Sequence, residues 1–224
     1  MLINIIIQAR TSSKRYRSKV LINLFNDNII IYLAEKLKKI KYINKIIVAT
    51  SVENSDNKLS KILKKKNIEV FRGSLNNVYS RYRVCTILHK CDYFIRISGD
   101  SPFLSTKLLQ SFINIIKKNP DIDILTNLKK RSFPKGQSIE ICNSRKFISI
   151  KNYVTKYSEK EHVTKFFYNN SERFKFLNIC LKNQLRIDDL NSCIDYPRDI
   201  FFSKRFINNS KIKNLHKNLI ITKS

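Results

Sequence analysis

The chain has 224 residues, of which 42% are hydrophobic and 11% aromatic, a composition typical of a folded protein with one sizeable core. No apolar stretch approaches the roughly 18 residues that span a bilayer, and no signal-peptide pattern is present, so we expect a cytoplasmic protein without membrane insertion. The formal net charge of +27 would attract polyanions, but no nucleic-acid-binding module is recognisable, so we expect no specific nucleic-acid partner.

The first predicted element is a strand followed by a cationic loop. Residues 1–7 are almost unbroken branched apolar residues, a pattern typical of a strand buried on both faces in a parallel sheet. Cations and hydroxyls follow it directly: Arg10, Thr11, Ser12, Ser13, Lys14, Arg15 and Lys19. Ligands of open α/β sheets bind at the carboxyl ends of the strands, so this loop predicts a phosphate-bearing ligand. The alternative is a solvated basic loop.

Strand and helix patterns alternate through the rest of the first half. Further strands are predicted at 45–50, 68–71 and 92–97, and helices at 28–40, 55–66 and 76–89, with Asn28, Ser55 and Asn76 as N-caps. This alternation predicts an α/β fold, a three-layer sandwich with a mostly parallel central sheet and helices on both faces. We find no repeat and no linker, and therefore expect one domain over residues 1–224.

The second half is less regular. Helices are predicted at 105–119 and 198–208, and residues 144–169 are predicted to form two helices broken near Ser158. Strands are predicted at 123–126, 138–142, 175–180 and 184–188. An irregular region of this kind after a nucleotide-binding half typically forms the pocket of a second substrate or a subunit contact.

Two acidic motifs are candidates for a metal site. Asp100 follows Gly99 directly after the predicted strand 92–97, where a carboxylate is well placed to hold Mg²⁺. Alternatively, Asp100 or Ser101 caps the next helix. A late acidic group contains Asp188 and Asp195, and Asp195 is either a second metal carboxylate or part of a helix cap.

Other catalytic chemistries have little support in the composition. The five cysteines form no C-x-x-C pair, so we expect reduced core thiols, and the three histidines are too few to favour a zinc or histidine-based site. The one Asp-x-Asp sequence, at 121–123, precedes a predicted strand, whereas a glycosyltransferase typically has this motif at a strand end.

Several motifs together resemble those of one enzyme family. They are Gln8-Ala9-Arg10 with Ser13, Arg15 and Lys19, then 48–51, 71–74, 78–82 and 96–102, followed by 134–136 with Glu140, 158–164 and 195–199. This series resembles the cytidylyltransferases of the SpsF type, which act in spore coat polysaccharide biosynthesis and are related to the acylneuraminate and Kdo cytidylyltransferases. The resemblance covers about residues 2–208, with Ser12 in place of the usual loop glycine.

The resemblance implies a nucleotide-diphospho-sugar transferase-like, Rossmann-like fold and transfer of CMP from CTP to a sugar acid, with Mg²⁺ as cofactor and a homodimer as the assembly. Residues 1–127 would form the nucleotide-binding half, and 128–224 the half for sugar binding and dimer contact. Implied catalytic residues are Arg10, Arg15, Lys19 and Asp100, and the implied metal ligands are Asp100 and Asp195. Implied nucleotide contacts are Ala9, Arg10, Ser12, Ser13, Arg15, Lys19, Arg72, Ser98 and Gly99. Implied sugar contacts are Gly136, Gln137, Glu140, Glu161 and His162.

Two other functions stay open from the sequence. A glycosyltransferase of similar architecture would bind a finished nucleotide sugar. A catalytically silent protein would bind polyanions through its basic surface.

Overall fold

The computed structural model describes residues 1–13, 15–182, 191–201 and 210–223. Its strands are β1 (Ile3–Gln8), β2 (Asn23–Leu24), β3 (Asp27–Asn28), β4 (Lys45–Ser51), β5 (Glu69–Gly73), β6 (Tyr93–Ser98), β7 (Ile124–Thr126), β8 (Glu140–Asn143), β9 (Phe176–Leu181) and β10 (Leu219–Lys223). Its helices are α1 (Ile29–Leu37), α2 (Asn57–Lys65), α3 (Val78–Leu88), α4 (Thr106–Lys118), α5 (Ser144–Ser149), α6 (Tyr157–Glu161), α7 (Lys165–Asn169) and α8 (Ser210–Lys213). Within these residues, no helix is long and apolar enough to cross a membrane.

One mixed sheet runs through the molecule in the order β10-β9-β7-β8-β6-β1-β4-β5. The strands β6, β1, β4 and β5 are parallel, and β7 is parallel to β9. Only β8 and β10 run in the opposite direction among the described strands of this sheet. The predicted α/β architecture with a mostly parallel sheet is therefore confirmed.

Alternate residues of β1 pack into two separate apolar layers, one on each face of the sheet. Ile5 and Ile7 join a cluster with residues of α1, α2 and α4, whereas Ile6 joins a second cluster with residues of α3, α5 and α7. Successive side chains of a strand point to opposite faces, so an unbroken apolar run is what a strand covered on both faces needs. Each buried isoleucine contributes about 1.5–3 kcal/mol relative to an exposed one.

Most predicted elements match the observed ones within a few residues, and the differences are local. The prediction of two helices broken near Ser158 is wrong, because α6 begins at Tyr157 and a short 3-10 turn, Ile150–Asn152, follows α5. Strands β2, β3 and β10 were not predicted. The predicted strand 184–188 and most of the predicted helix 198–208 lie outside the described residues, as do Lys14 and Asp188.

The predicted N-caps are only partly correct. The Asn28 side chain donates to Leu21 O instead of capping α1, and Ser55 lies in a 3-10 turn, Asn54–Asp56, before α2. The cap of α3 is Asn77, whose side chain accepts from Ser80 N, so the predicted cap Asn76 is one residue too early. The cap of α4 is Ser105, which excludes the alternative that Asp100 or Ser101 serves that helix.

A half-buried lysine of α1 gives a test of the packing beside the 99–105 loop. Nζ of Lys36 donates to Pro102 O at 3.2 Å, and burial lowers the pKa of Lys36 to about 8. Because the charged form is disfavoured in the folded state, Lys36→Met should stabilise the protein by about 2 kcal/mol at pH 7. Between pH 8 and the ordinary lysine pKa of 10.5, the unfolded chain binds the proton more tightly than the folded protein, so wild-type stability rises with pH there and the advantage of methionine shrinks.

Urea unfolding at pH 7 and pH 10 measures this difference. The control is Lys38→Met, which removes an exposed lysine paired with Glu35 and should change stability by less than about 1 kcal/mol. A methionine variant that is less stable than wild type at pH 7 would contradict the prediction.

Candidate active site

The loops that follow β1 and β6 meet closely at the carboxyl edge of the sheet. Gly99 N donates to Gln8 O at 2.8 Å. A Cβ atom at position 99 would lie 2.9 Å from Gln8 O and 3.1 Å from Ala9 Cβ. Glycine is therefore required here, because only a residue without a side chain lets the two loops come this close.

Two carboxylates from distant parts of the chain meet on one lysine at this edge. Nζ of Lys19 lies 2.5 Å from Asp100 Oδ2 and 2.9 Å from Asp195 Oδ1. Nη2 of Arg15 lies 3.0 Å from the same Asp195 oxygen. The other oxygen of Asp100 accepts from the Ser98 hydroxyl at 2.6 Å. The structure thus brings together Arg15, Lys19, Ser98, Asp100 and Asp195.

A docked segment places Asp195 beside Asp100. Ile194 N donates to Asp100 O at 2.9 Å, so the backbone of the late segment is paired with the Gly99-Asp100 loop. Ser192 fixes the same segment from the other side, because its N and Oγ both donate to Lys135 O. The buried Gln137 adds a hydrogen bond from Nε2 to Ser192 Oγ at 2.8 Å. Gln137 therefore supports the segment that carries Asp195.

Gly136 is the tightest point of this docking, and its replacement should affect both stability and the site. Its φ is +85°, and a Cβ atom would lie 2.5 Å from Ser192 Oγ and 2.7 Å from Ser192 C. We expect Gly136→Ala to cost about 3 kcal/mol and to lower catalytic activity strongly, because residues 192–195 must shift.

Thermal unfolding and turnover of Gly136→Ala are compared with those of Lys135→Ala. The latter removes an exposed side chain but keeps the carbonyl that accepts from Ser192. Full activity and stability of the glycine variant would show that the docked segment tolerates the extra atom.

The charges in the cluster hold one another in their ionised forms. Burial alone would raise the pKa of Asp100, but the Lys19 ammonium and hydrogen bonds from Lys19 and Ser98 lower it below its usual value. Burial alone would lower the pKa of Lys19, yet the two aspartates outweigh this and raise it. Both carboxylates are about one-sixth exposed, so ligands can reach them from solvent.

Cys193 completes the cluster and was not foreseen as part of it. Its Sγ lies within 4.8 Å of a carboxylate oxygen of both Asp100 and Asp195. Burial, followed by the negative charge of the two aspartates, raises the pKa of Cys193, so it remains a neutral thiol. Cys193 and Cys91 are half-buried, so the expectation of core thiols is confirmed only for Cys85, Cys142 and Cys180, while all five cysteines are unpaired as expected.

The donor set fits a hard divalent cation. Two carboxylates can converge on one cation, as their shared contact with the Lys19 ammonium demonstrates. Carboxylate oxygens are the ligands that Mg²⁺ prefers, and it usually takes its remaining ligands from water and substrate phosphates. A neutral thiol is a poor ligand by comparison, so Asp100 and Asp195 are the residues that would hold Mg²⁺.

The first loop is anchored by a buried carboxylate that sequence reasoning missed. Asp56 is fully buried, and its Oδ1 accepts from Thr11 N at 2.7 Å. Its Oδ2 accepts from Ser51 N at 3.1 Å and from the Ser51 hydroxyl. Arg10, Ser12 and Ser13 flank this anchor and are half-buried. Asp56 therefore ties the cationic loop to the end of β4.

The two arginines near β5 have different surroundings. The predicted nucleotide contact Arg72 donates to Ser51 O, Asn57 Oδ1 and Glu53 O, so it braces the loop before α2. Arg81 is buried and donates to Ser74 O, while its Nε and Nη2 have no hydrogen-bond partner among the described residues. Burial and the nearby Arg10 lower the pKa of Arg81. The helical spacing of Arg81 with Val78, Tyr82 and Cys85 was the signal that could have revealed its burial.

The remaining predicted sugar contacts lie in or beside a buried network. Glu140 is buried and accepts from Arg96 Nη1 at 2.5 Å, Thr164 Oγ1 at 2.6 Å and Tyr168 OH at 2.8 Å. The Glu140 carboxylate is therefore hydrogen-bonded to side chains of the protein itself. Glu161 is half-buried and His162 exposed at the end of α6, and the structure does not bring either of them into the cluster around Lys19.

Comparison with known proteins identifies the family. The sequence profile described as cytidylyltransferase matches residues 4–197. The chain belongs to the cytidylyltransferase family. It is 33% identical over 195 residues, 87% of the chain, to the uncharacterized protein MJ1063 of Methanocaldococcus jannaschii, of which 78% is covered. It is 27% identical over 200 residues to the spore coat polysaccharide biosynthesis protein SpsF of Bacillus subtilis, covering 87% of this chain and 81% of that protein.

A solved structure supports the same identification. The fold matches that of a cytidylyltransferase from Leptospira borgpetersenii with a TM-score of 0.83 and 28% identity, over 95% of this chain and 90% of the other. The predicted resemblance to SpsF-type cytidylyltransferases is confirmed, and the protein is a CTP-dependent nucleotidyltransferase. The Asp-x-Asp sequence of this cytidylyltransferase lies near Met1, at the amino ends of β1 and β6. The candidate site lies at the carboxyl ends of these strands, so the Asp-x-Asp sequence has no part in it.

Proposed function

We propose that this cytidylyltransferase transfers CMP from CTP to a sugar acid of the nonulosonic or Kdo-like class and releases pyrophosphate, with Mg²⁺ as cofactor. The name of the relative SpsF supports a role in surface polysaccharide biosynthesis. Residues 1–127 would carry the nucleotide, and residues 128–224 the acceptor.

The observation that carries the proposal is the meeting of Asp100 and Asp195 beside the cationic loop. Both carboxylates contact Lys19, and Arg15 contacts one of them. Nucleotidyl transfer needs negative groups that hold a cation next to positive groups that hold a polyphosphate. This cluster offers both at the edge of the sheet where ligands of open α/β folds bind.

The reaction needs positioning and charge neutralisation rather than a covalent nucleophile. An acceptor hydroxyl attacks the α-phosphorus of CTP in line, its O–H bond breaks with release of the proton to water, the bond to the bridging oxygen breaks, and pyrophosphate leaves with the electron pair. Arg10, Arg15 and Lys19 are the groups that would stabilise charge on the leaving pyrophosphate. When bound, Mg²⁺ supplies neutralisation of phosphate charge and orientation of the reacting oxygens.

The loop residues and the second half of the chain have supporting roles in this proposal. Ser12, Ser13 and Ala9 present the loop backbone to the phosphates, and Ser98 and Gly99 hold Asp100 beside it. Glu161 is half-buried and His162 is exposed, so both side chains are accessible for contact with an acceptor sugar. Gly136 and Gln137 act by holding the segment that carries Asp195, and Glu140 acts through its buried hydrogen bonds with Arg96, Thr164 and Tyr168.

Pyrophosphate release tests the proposal. The purified protein is incubated with CTP, Mg²⁺ and a panel of sugar acids, with UTP and ATP in parallel and with EDTA as a control. Release that requires CTP, Mg²⁺ and one sugar acid is expected. Release with a different CTP acceptor and none of the acids would reject the sugar-acid class, while salt-sensitive RNA binding without turnover would favour a silent polyanion-binding protein.

We also propose a homodimer. Large side chains near α6 support it, because Tyr153 and Tyr157 are strongly exposed and would be covered by a second copy. Light scattering on the wild type and on Tyr157→Glu tests this, and a monomeric wild-type protein at micromolar concentration would reject it.

A further inference from the structure

We propose that Lys19 occupies the metal carboxylates in the free enzyme, so that the divalent cation binds strongly only when a triphosphate draws Lys19 away. This inference rests on the proposed function, because it concerns the same two aspartates. It adds a binding order that couples the metal to the nucleotide.

Lys19 contacts one oxygen of each carboxylate that would hold the metal. Its ammonium contacts Oδ2 of Asp100 at 2.5 Å and Oδ1 of Asp195 at 2.9 Å. Oδ1 of Asp100 already accepts from the Ser98 hydroxyl. A cation that binds Asp100 Oδ2 and Asp195 Oδ1 therefore competes with the ammonium for the same atoms.

The positive and negative charges of the cluster balance one another. Two carboxylates face Lys19 and Arg15, so the cluster is formally neutral before any ligand arrives. The Lys19 side chain is 8% exposed, and a second cation added to it would meet an uncompensated positive charge in a partly desolvated place. A triphosphate removes this obstacle, because its oxygens offer Lys19 and Arg15 new partners.

The side chain of Lys19 can change its partner while the Lys19 backbone stays fixed. Ser18, with φ at 55°, precedes the 3-10 turn Lys19–Leu21, and Ser18 N donates to Thr11 O at 2.8 Å. The backbone is therefore held by the loop that would contact the phosphates. The flexible four-carbon stem of lysine allows its ammonium to exchange one anionic partner for another.

Metal binding without turnover tests the inference. Mn²⁺ binding to nucleotide-free protein is measured by electron paramagnetic resonance for the wild type, Lys19→Met and Lys19→Arg. We expect Lys19→Met to bind Mn²⁺ about tenfold more tightly than wild type, because the competing charge is gone. Lys19→Arg keeps a cation and should bind as weakly as wild type. Lys66→Met, which removes a lysine from the exposed pair with Asp27, is the matched control and should change nothing.

The outcomes separate this inference from the proposed function. Equal Mn²⁺ affinity in the wild type and Lys19→Met overturns the inference, but it does not count against the proposed CMP transfer. If Asp100→Asn does not weaken Mn²⁺ binding to Lys19→Met, the metal does not bind this carboxylate pair, and both the inference and the proposed metal site are rejected.

Discussion

Asp100→Asn is expected to lower CMP transfer by about a thousandfold while leaving the fold intact. The substitution keeps the size of the side chain and its contact with Ser98, but it removes the charge that pairs with Lys19. It also removes one of the two carboxylates that would hold Mg²⁺. Pyrophosphate release measures the loss of activity, and circular dichroism with urea unfolding measures the fold.

The matched control is Asp92→Asn. Asp92 is also an aspartate paired with a cation, the N-terminal amine, but it is 59% exposed and lies at the opposite edge of the sheet. Its replacement should leave turnover within about twofold of wild type. Turnover near the wild-type rate in Asp100→Asn would reject the assignment of Asp100 as a catalytic metal ligand.

Asp56→Ala is expected to destabilise the protein by about 3–5 kcal/mol and to weaken CTP binding. The loss leaves the buried N–H groups of Thr11 and Ser51 without their acceptor, and it frees the start of the cationic loop from β4. Urea unfolding and CTP titration measure the two effects. The control, Asp27→Asn, breaks a partly exposed pair with Lys66 and should cost less than about 1 kcal/mol.

The Asp56 carboxylate should also make the stability of the protein depend on pH in the acid range. Burial would raise the pKa of Asp56, but hydrogen bonds from Ser51 and Thr11 outweigh it and lower the pKa below the ordinary aspartate value of 3.8. Its stabilising contribution is therefore present above the unfolded pKa and is lost as pH falls through the lower, folded pKa. Wild type and Asp56→Ala should converge in stability as the pH falls below 3.8. An undiminished difference at the lowest pH at which both still fold would contradict this account.

The elements of the sheet were largely predictable because their sequence pattern is simple. Ile3 to Ile7 must be covered on both faces, and the alternation with amphipathic helices leaves few other arrangements. Strand β10 was missed although Leu219, Ile220 and Ile221 are apolar, because a run of three residues is too short to distinguish a strand from other structures by its pattern. The helices after β8 were misjudged because several short turns share one apolar pattern, which does not mark where each turn ends.

Residues of the candidate site were predictable where they lie in a recognisable sequence motif. They were not predictable where tertiary packing brings them into the site. Arg15 and Lys19 lie in the loop after β1, and Asp100 follows β6, so their positions indicated a ligand site, while their individual roles came from the family resemblance. That Asp195 lies beside Asp100 depends on backbone pairing between distant loops, which no local pattern encodes. Asp56 and Cys193 were missed for the same reason, since their neighbours come from other parts of the chain.

The docking of the segment 191–195 has a consequence for synthesis of the enzyme. A ribosome delivers the cationic loop and Asp100 before Asp195, so a nascent chain can pair β1, β4, β5 and β6 while it still lacks one of the two carboxylates proposed to hold Mg²⁺. On the proposed function, turnover of CTP therefore begins only after residues 191–195 have docked on the Gly99-Asp100 loop.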